Sequence, residues 1–122
     1  MYTEKVMENF TNPQNVGIVE NADAAAKVGS PECGDIMEIS MKIENNIIQD
    51  VKSRTFGCAA AVASSSMATQ MIKDKTVQEA LALTNGQVVR ELGGLPPEKV
   101  HCSVMAEEAI KKALNEYLVK HA

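Results

Sequence analysis

The sequence predicts an α+β domain, a small antiparallel three-stranded sheet with helices packed on one face. Three observations predict it. From Ile36 to Ile43 the residues alternate strictly, with Met37, Ile39, Met41 and Ile43 set against Glu38, Ser40 and Lys42, the period of a half-buried strand. After Gly57 the pattern becomes helical, beginning with the Ala-rich "CAAAVASSSMATQMIKD". Strand-like segments therefore come first and helix-like segments after, the order of an antiparallel sheet with its helices segregated to one face.

Each element has its own signal. "TEKVMENFTNPQN" reads as a short amphipathic docking arm with Val6, Met7 and Phe10 apolar, ended by Pro13 and Asn15. A first strand is predicted over Ala24 to Ser30. The second strand runs into Asn45-Asn46, two residues that tolerate a left-handed backbone, and "IIQDVKSRTF" returns as the third. The small side chains of the Ala-rich helix permit close approach to the sheet. Thr76 with Glu79 and Thr84 with Gln87 are capping-box pairs for two short helices, which Gly93-Gly94 stop. The last helix is expected from about Ser103 to Lys120. Its apolar stripe is Ala106, Ala109, Ile110, Ala113, Leu114, Tyr117 and Leu118, and Glu107 with Lys111 and Glu108 with Lys112 are four-apart pairs on the wet side.

The 122 residues, 45% hydrophobic and 23% charged, suit a single domain spanning 1–122 with its own core. A net charge of -4, scattered basic residues and only four aromatic side chains argue against nucleic-acid binding. The acidic N-terminus does not read as a signal peptide, and no apolar run reaches the ~18 residues of a membrane span. A cytoplasmic protein is expected, and its three cysteines, odd in number and far apart, make a poor disulfide framework.

Metal or thiol chemistry is then the question. In "PECGDI", Gly34 lets the backbone bend, so that Cys33 and Asp35 can project to the same side; the bland reading is a Gly-Asp turn beside an inert cysteine. Cys58 in "TFGCAA" falls at a strand-to-helix junction, where a helix dipole would favour a thiolate, or else is a small core residue. "KVHCS" sets His101 and Cys102, both metal ligands, before a helix start, with Lys99 nearby to offer charge or simply to sit in solvent. Junctions of this kind can converge at one end of a sheet. Cys33, Asp35, Cys58, His101 and Cys102 are thus candidate ligands, although their spacing is unlike paired structural zinc knuckles. A structural or regulatory zinc module, and a thiol enzyme with Cys58 or Cys102 as nucleophile and His101 as base, are the competing readings.

Four stretches in order, "YTEKVMENFTNPQNVG", "CGD", "FGCAAAVASSSMAT" and "LPPEKVHCSVMAEEAI", resemble the IscU/NifU N-terminal family of iron-sulfur cluster assembly scaffolds. The similarity covers essentially the whole chain. It implies a non-catalytic carrier that builds a [2Fe-2S] cluster on Cys33, Cys58 and Cys102, with Asp35 or His101 in the fourth position, and passes it to acceptor apoproteins. Sulfur would arrive as a persulfide from a cysteine desulfurase, with Cys102 the acceptor. The resemblance also implies an iron donor, ferredoxin and a homodimer with Tyr2 at its contact. Lys99 matches a basic residue kept beside the site. "LPPEK", Leu95 to Lys99, resembles a loop recognised by a DnaK-type chaperone, with Glu98 where those members carry a small apolar residue. The chain lacks the insertion of SufU-type relatives, which favours the IscU branch. A site of three sulfurs and one oxygen or nitrogen holds a cluster less firmly than four thiolates, and would take zinc when iron is absent.

Overall fold

A computed structural model of the chain describes residues 2–30 and 34–121. Its elements are α1 (Glu4–Thr11), β1 (Ala24–Ser30), β2 (Asp35–Glu44), β3 (Ile47–Phe56), α2 (Ala59–Ile72), α3 (Val77–Leu81), α4 (Asn85–Glu91), a 3-10 turn (Pro97–Lys99) and α5 (Val100–Lys120). The strands form an antiparallel sheet in the order β1-β2-β3. Asn45 and Asn46 turn the hairpin with φ of 53° and 64°, the left-handed pair that matches strand twist.

Helices α2 and α5 lie side by side on one face of this sheet, α2 over β3 and α5 over β1, and α1 packs on α2. Between them and the sheet sit Met37, Ile39 and Met41 of β2, Ile48 and Val51 of β3, and Ala109, Ile110 and Leu114 of α5, all buried. The register slips between Lys42 and Ile43, so that Gln49 is the extra residue of a bulge. That insertion allows Ile48 and Val51, three apart, to share the inner face. Ser40 points to the outer face yet is buried, because its Oγ accepts the Val19 N–H of the segment crossing that face.

Three expectations about side chains are corrected. On α1 only Val6 of the predicted apolar set is buried; Met7 and Phe10 are exposed, and Asn9 takes the inward position. It does so because Ser66 and Gln70 of α2 both donate to its Oδ1, a polar partner set that removes the cost of burying an amide. On α5 Glu107 pairs with Lys111 at 2.9 Å, but Lys112 reaches across to donate to the Lys27 carbonyl instead of pairing with Glu108. Leu118 of the predicted stripe is exposed.

Candidate functional site

Asp35 is the first residue of β2 and shares its odd-numbered face with Met37 and Ile39, so the two-residue period alone directs its carboxylate toward the helices, where it is 4% exposed. Cys58 is the N-cap of α2, separated from the end of β3 by Gly57 alone. Cys102 lies in the first turn of α5. These three distant segments meet. Cys58 Sγ and Cys102 Sγ are 3.6 Å apart, and Asp35 Oδ2 is 3.9 Å from the first and 3.8 Å from the second. All three ligand atoms lie within 4.8 Å of one another, the spread of donors able to share one metal ion.

His101 sits at the edge of this triangle, its Nε2 3.6 Å from both Cys102 Sγ and Asp35 Oδ2. Its Nδ1 is 3.1 Å from the Glu98 carbonyl oxygen. A carbonyl can only accept, so this contact puts a proton on Nδ1, and in the neutral imidazole Nε2 is then the lone-pair atom facing the site. The expected helix start is corrected: α5 begins at Val100, and His101 and Cys102 are inside its first turn. Pro97, at the first position of the 3-10 turn, presets the backbone three residues earlier. Ser103, which resembles a cap, donates back to the Val100 carbonyl from within the helix. Cys33 lies outside the described residues. Gly34 has φ +72°, and among the described residues beyond its chain neighbours no atom lies within 4 Å of where a Cβ would stand, so backbone freedom is what the position requires of glycine.

Asp35 Oδ1 accepts the Cys58 N–H at 3.1 Å, so the carboxylate caps the α2 N-terminus that also carries a thiol. Burial pushes the Cys102 thiol up to about 12, reinforced by its hydrogen bond with Cys58 and by the Cys58 and Asp35 charges, and Lys99 only partly opposes this. Lys99 in turn has its ammonium form favoured, chiefly by the Cys58 thiolate and then by Tyr2. Deprotonating Cys102 beside Asp35 and Cys58 is therefore opposed, and a cation bound between the three would offset that cost. A thiol held protonated by burial is a poor nucleophile until it is uncovered, which disfavours a thiol enzyme that uses Cys102 with His101 in this buried setting.

One participant escaped the sequence reading, and Leu95 has a packing role beyond the loop that the resemblance implies. Gly57 lies so close beneath Asp35 that a Cβ there would overlap its carboxylate, 2.8 Å from Cγ; the "FGC" glycine was its only signal. Leu95, together with Tyr2 and Cys58, packs against Ala60, Ala61 and the fully buried Cys102. Tyr2 thus occupies a groove of its own chain beside the thiols.

A family model described as "NifU-like N terminal domain" matches residues 1–122. The chain is 51% identical over 121 residues to the iron-sulfur cluster assembly scaffold protein IscU 1 of Archaeoglobus fulgidus, covering 99% of this chain and 79% of that one. It is 46% identical to IscU of Haemophilus influenzae, covering 98% and 97%. Among solved structures, an iron-sulfur cluster assembly scaffold protein for the SUF system of Fervidobacterium islandicum superposes with a TM-score of 0.79 at 25% identity, covering 93% of this chain and 96% of that one. The N-terminal part of a NifU-like protein from Brucella abortus, at 19% identity and a TM-score of 0.77, covering 97% and 94%, shares the fold. The chain belongs to the NifU-like N-terminal domain family, in its IscU-like branch.

Proposed function

We propose that the chain assembles a labile [2Fe-2S] cluster from iron and desulfurase-derived sulfur and passes it to acceptor apoproteins. The observation that supports this most is the meeting of Asp35, Cys58 and Cys102, from three separate segments, within 4.8 Å of one another. Cys33 completes a set of three thiolates in this reading, and Asp35 or His101 fills the remaining position. The cluster is cargo. Thiolates hold iron strongly while an oxygen or imidazole corner exchanges, which lets the cargo leave. Cys102 takes sulfur from the persulfide of a cysteine desulfurase, Lys99 balances charge at the rim, and zinc fills the same donors when iron is absent. An iron donor, ferredoxin, a chaperone grasping Leu95 to Lys99, and a second copy of the chain are the further partners of this reading.

The test is anaerobic addition of ferrous iron, cysteine and a desulfurase. Visible absorption of a [2Fe-2S] centre is expected at a stoichiometry set by Cys33, Cys58 and Cys102; absence of any visible band overturns the proposal. Asp35→Ala removes the exchangeable oxygen corner, so a cluster formed on that variant is expected to transfer to an apoferredoxin more slowly, by about tenfold for each 1.4 kcal/mol of added stability. A rate equal to or above that of the unaltered protein counts against an Asp35 ligand.

A further inference from the structure

Cys102 is 0% exposed, whereas Cys58, 3.6 Å away, is half-buried. A thiol that must meet a sulfur donor is therefore covered, by Asp35, Cys58 and His101 within 3.8 Å on the side of the donors and by other residues on the opposite side. Tyr2 and Leu95 pack against the small cluster of Ala60, Ala61 and Cys102. Tyr2 is held there from one side by Thr3, whose hydroxyl donates to the Leu92 carbonyl and accepts the Val6 N–H that starts α1. The Thr3 methyl lies against Gly93, 3.5 Å from where a Cβ would stand. Beyond Thr3, α1 itself is seated on α2 by one buried apolar side chain, Val6, and by the polar contacts of Asn9 with Ser66 and Gln70. An eight-residue helix with so little apolar anchorage opens at lower cost than the core does.

We propose that residues Tyr2 to Thr11 form a strap that seals Cys102, with the Thr3-Leu92 hydrogen bond as its latch, and that the strap must lift before an external persulfide can reach this thiol. Cys58 stays approachable while the strap is closed. When it lifts, the Cys102 thiolate attacks the outer sulfur of the donor's R–S–SH; that S–S bond breaks as the new one forms, the donor leaves as R–S⁻ and takes up the proton Cys102 has lost. No oxidant or reductant is needed. The inference rests on Cys102 as sulfur acceptor, but the exposure it describes is measurable without iron.

The experiment is timed iodoacetamide alkylation of the reduced, metal-free full chain, with each cysteine followed by peptide mass spectrometry. Cys102 is expected to react about tenfold or more slowly than Cys58, as a site reached only through an open state does. Tyr2→Ala should accelerate Cys102 by about tenfold, and Thr3→Val by about fivefold, the loss typical of a helix N-cap, with Cys58 unchanged in both. Tyr2→Phe should retain protection, since the ring is the seal. An unchanged Cys102 rate in Tyr2→Ala and Thr3→Val overturns the strap, and so does equal acceleration of both cysteines, which signals general loosening. Failure of cluster assembly with the protection pattern intact would remove the function reading and leave the strap standing.

Discussion

Gly57 shows how much of this site depends on an atom that is missing. The Asp35 carboxylate fills the space where a Cβ would be and uses that position to accept the Cys58 N–H. Gly57→Ala must push Asp35 off both, leaving a buried carboxylate without its backbone partner. The expected result is zinc affinity reduced by about tenfold or more in competition with a chromophoric chelator, and a loss of about 1–3 kcal/mol in urea unfolding of the metal-free protein. Cys102 gives a prediction in pH. Its thiol is raised from an ordinary 9.0 to about 12, so the folded state holds this proton more tightly than the unfolded chain does. Stability from this source is whole below the unfolded value and is lost as pH rises toward the folded one. Metal-free protein should therefore lose stability above about pH 9, with a slope approaching 1.4 kcal/mol per unit. Cys102→Ala should flatten that slope, and equal slopes in the two proteins would contradict the assignment.

Among the elements, α2 carries a prediction of opposite sign. Ser64 is fully buried, and among the described residues its Oγ has no hydrogen-bond partner, whereas Ser66 two positions on donates to Asn9 and accepts the Gln14 N–H. Ser64→Ala should stabilise by about 1 kcal/mol, and Ser66→Ala should destabilise by about 1–3 kcal/mol, as denaturant midpoints would read. The contrast explains what was legible. Periodicity and turn chemistry located the strands, because those signals are local: Ala24–Ser30 and Ile47–Phe56 form as expected, and both capping boxes close at Thr76 and Thr84. Which face of α1 is buried was not legible, because Asn9 faces inward only by virtue of residues some sixty positions away on α2. The start of α5 was misplaced for a related reason. A serine type favours caps, but the proline turn ahead of Val100 had already begun the helix.

At the scale of the whole molecule, composition named the candidate donors, but only closure of the sheet under α2 and α5 brings Asp35 to two thiols, 23 and 67 residues further along the chain. Spacing alone could not reveal that, since each donor belongs to a different element. The main core, running from Val6 through the sheet to Leu114, does not include Cys102, which belongs to a small cluster that shares the flanking Tyr2 and Leu95 with it. The fold thus has its own apolar support and does not depend on a metal for it, unlike a module whose core is the metal site. Protein stripped with a chelator should unfold in one cooperative transition. Zinc, binding the folded state through donors that the unfolded chain disperses, should raise stability by RT ln(1 + [Zn]/Kd), about 2.7 kcal/mol at a free concentration 100 times Kd. Cys58→Ala should keep the metal-free transition and lose most of that increment, because Cys58 is half-buried at the end of α2 and contributes to the site more than to the main core. A stripped protein with no cooperative transition would instead make the metal structural. A zinc increment undiminished in Cys58→Ala would place the metal elsewhere on the chain.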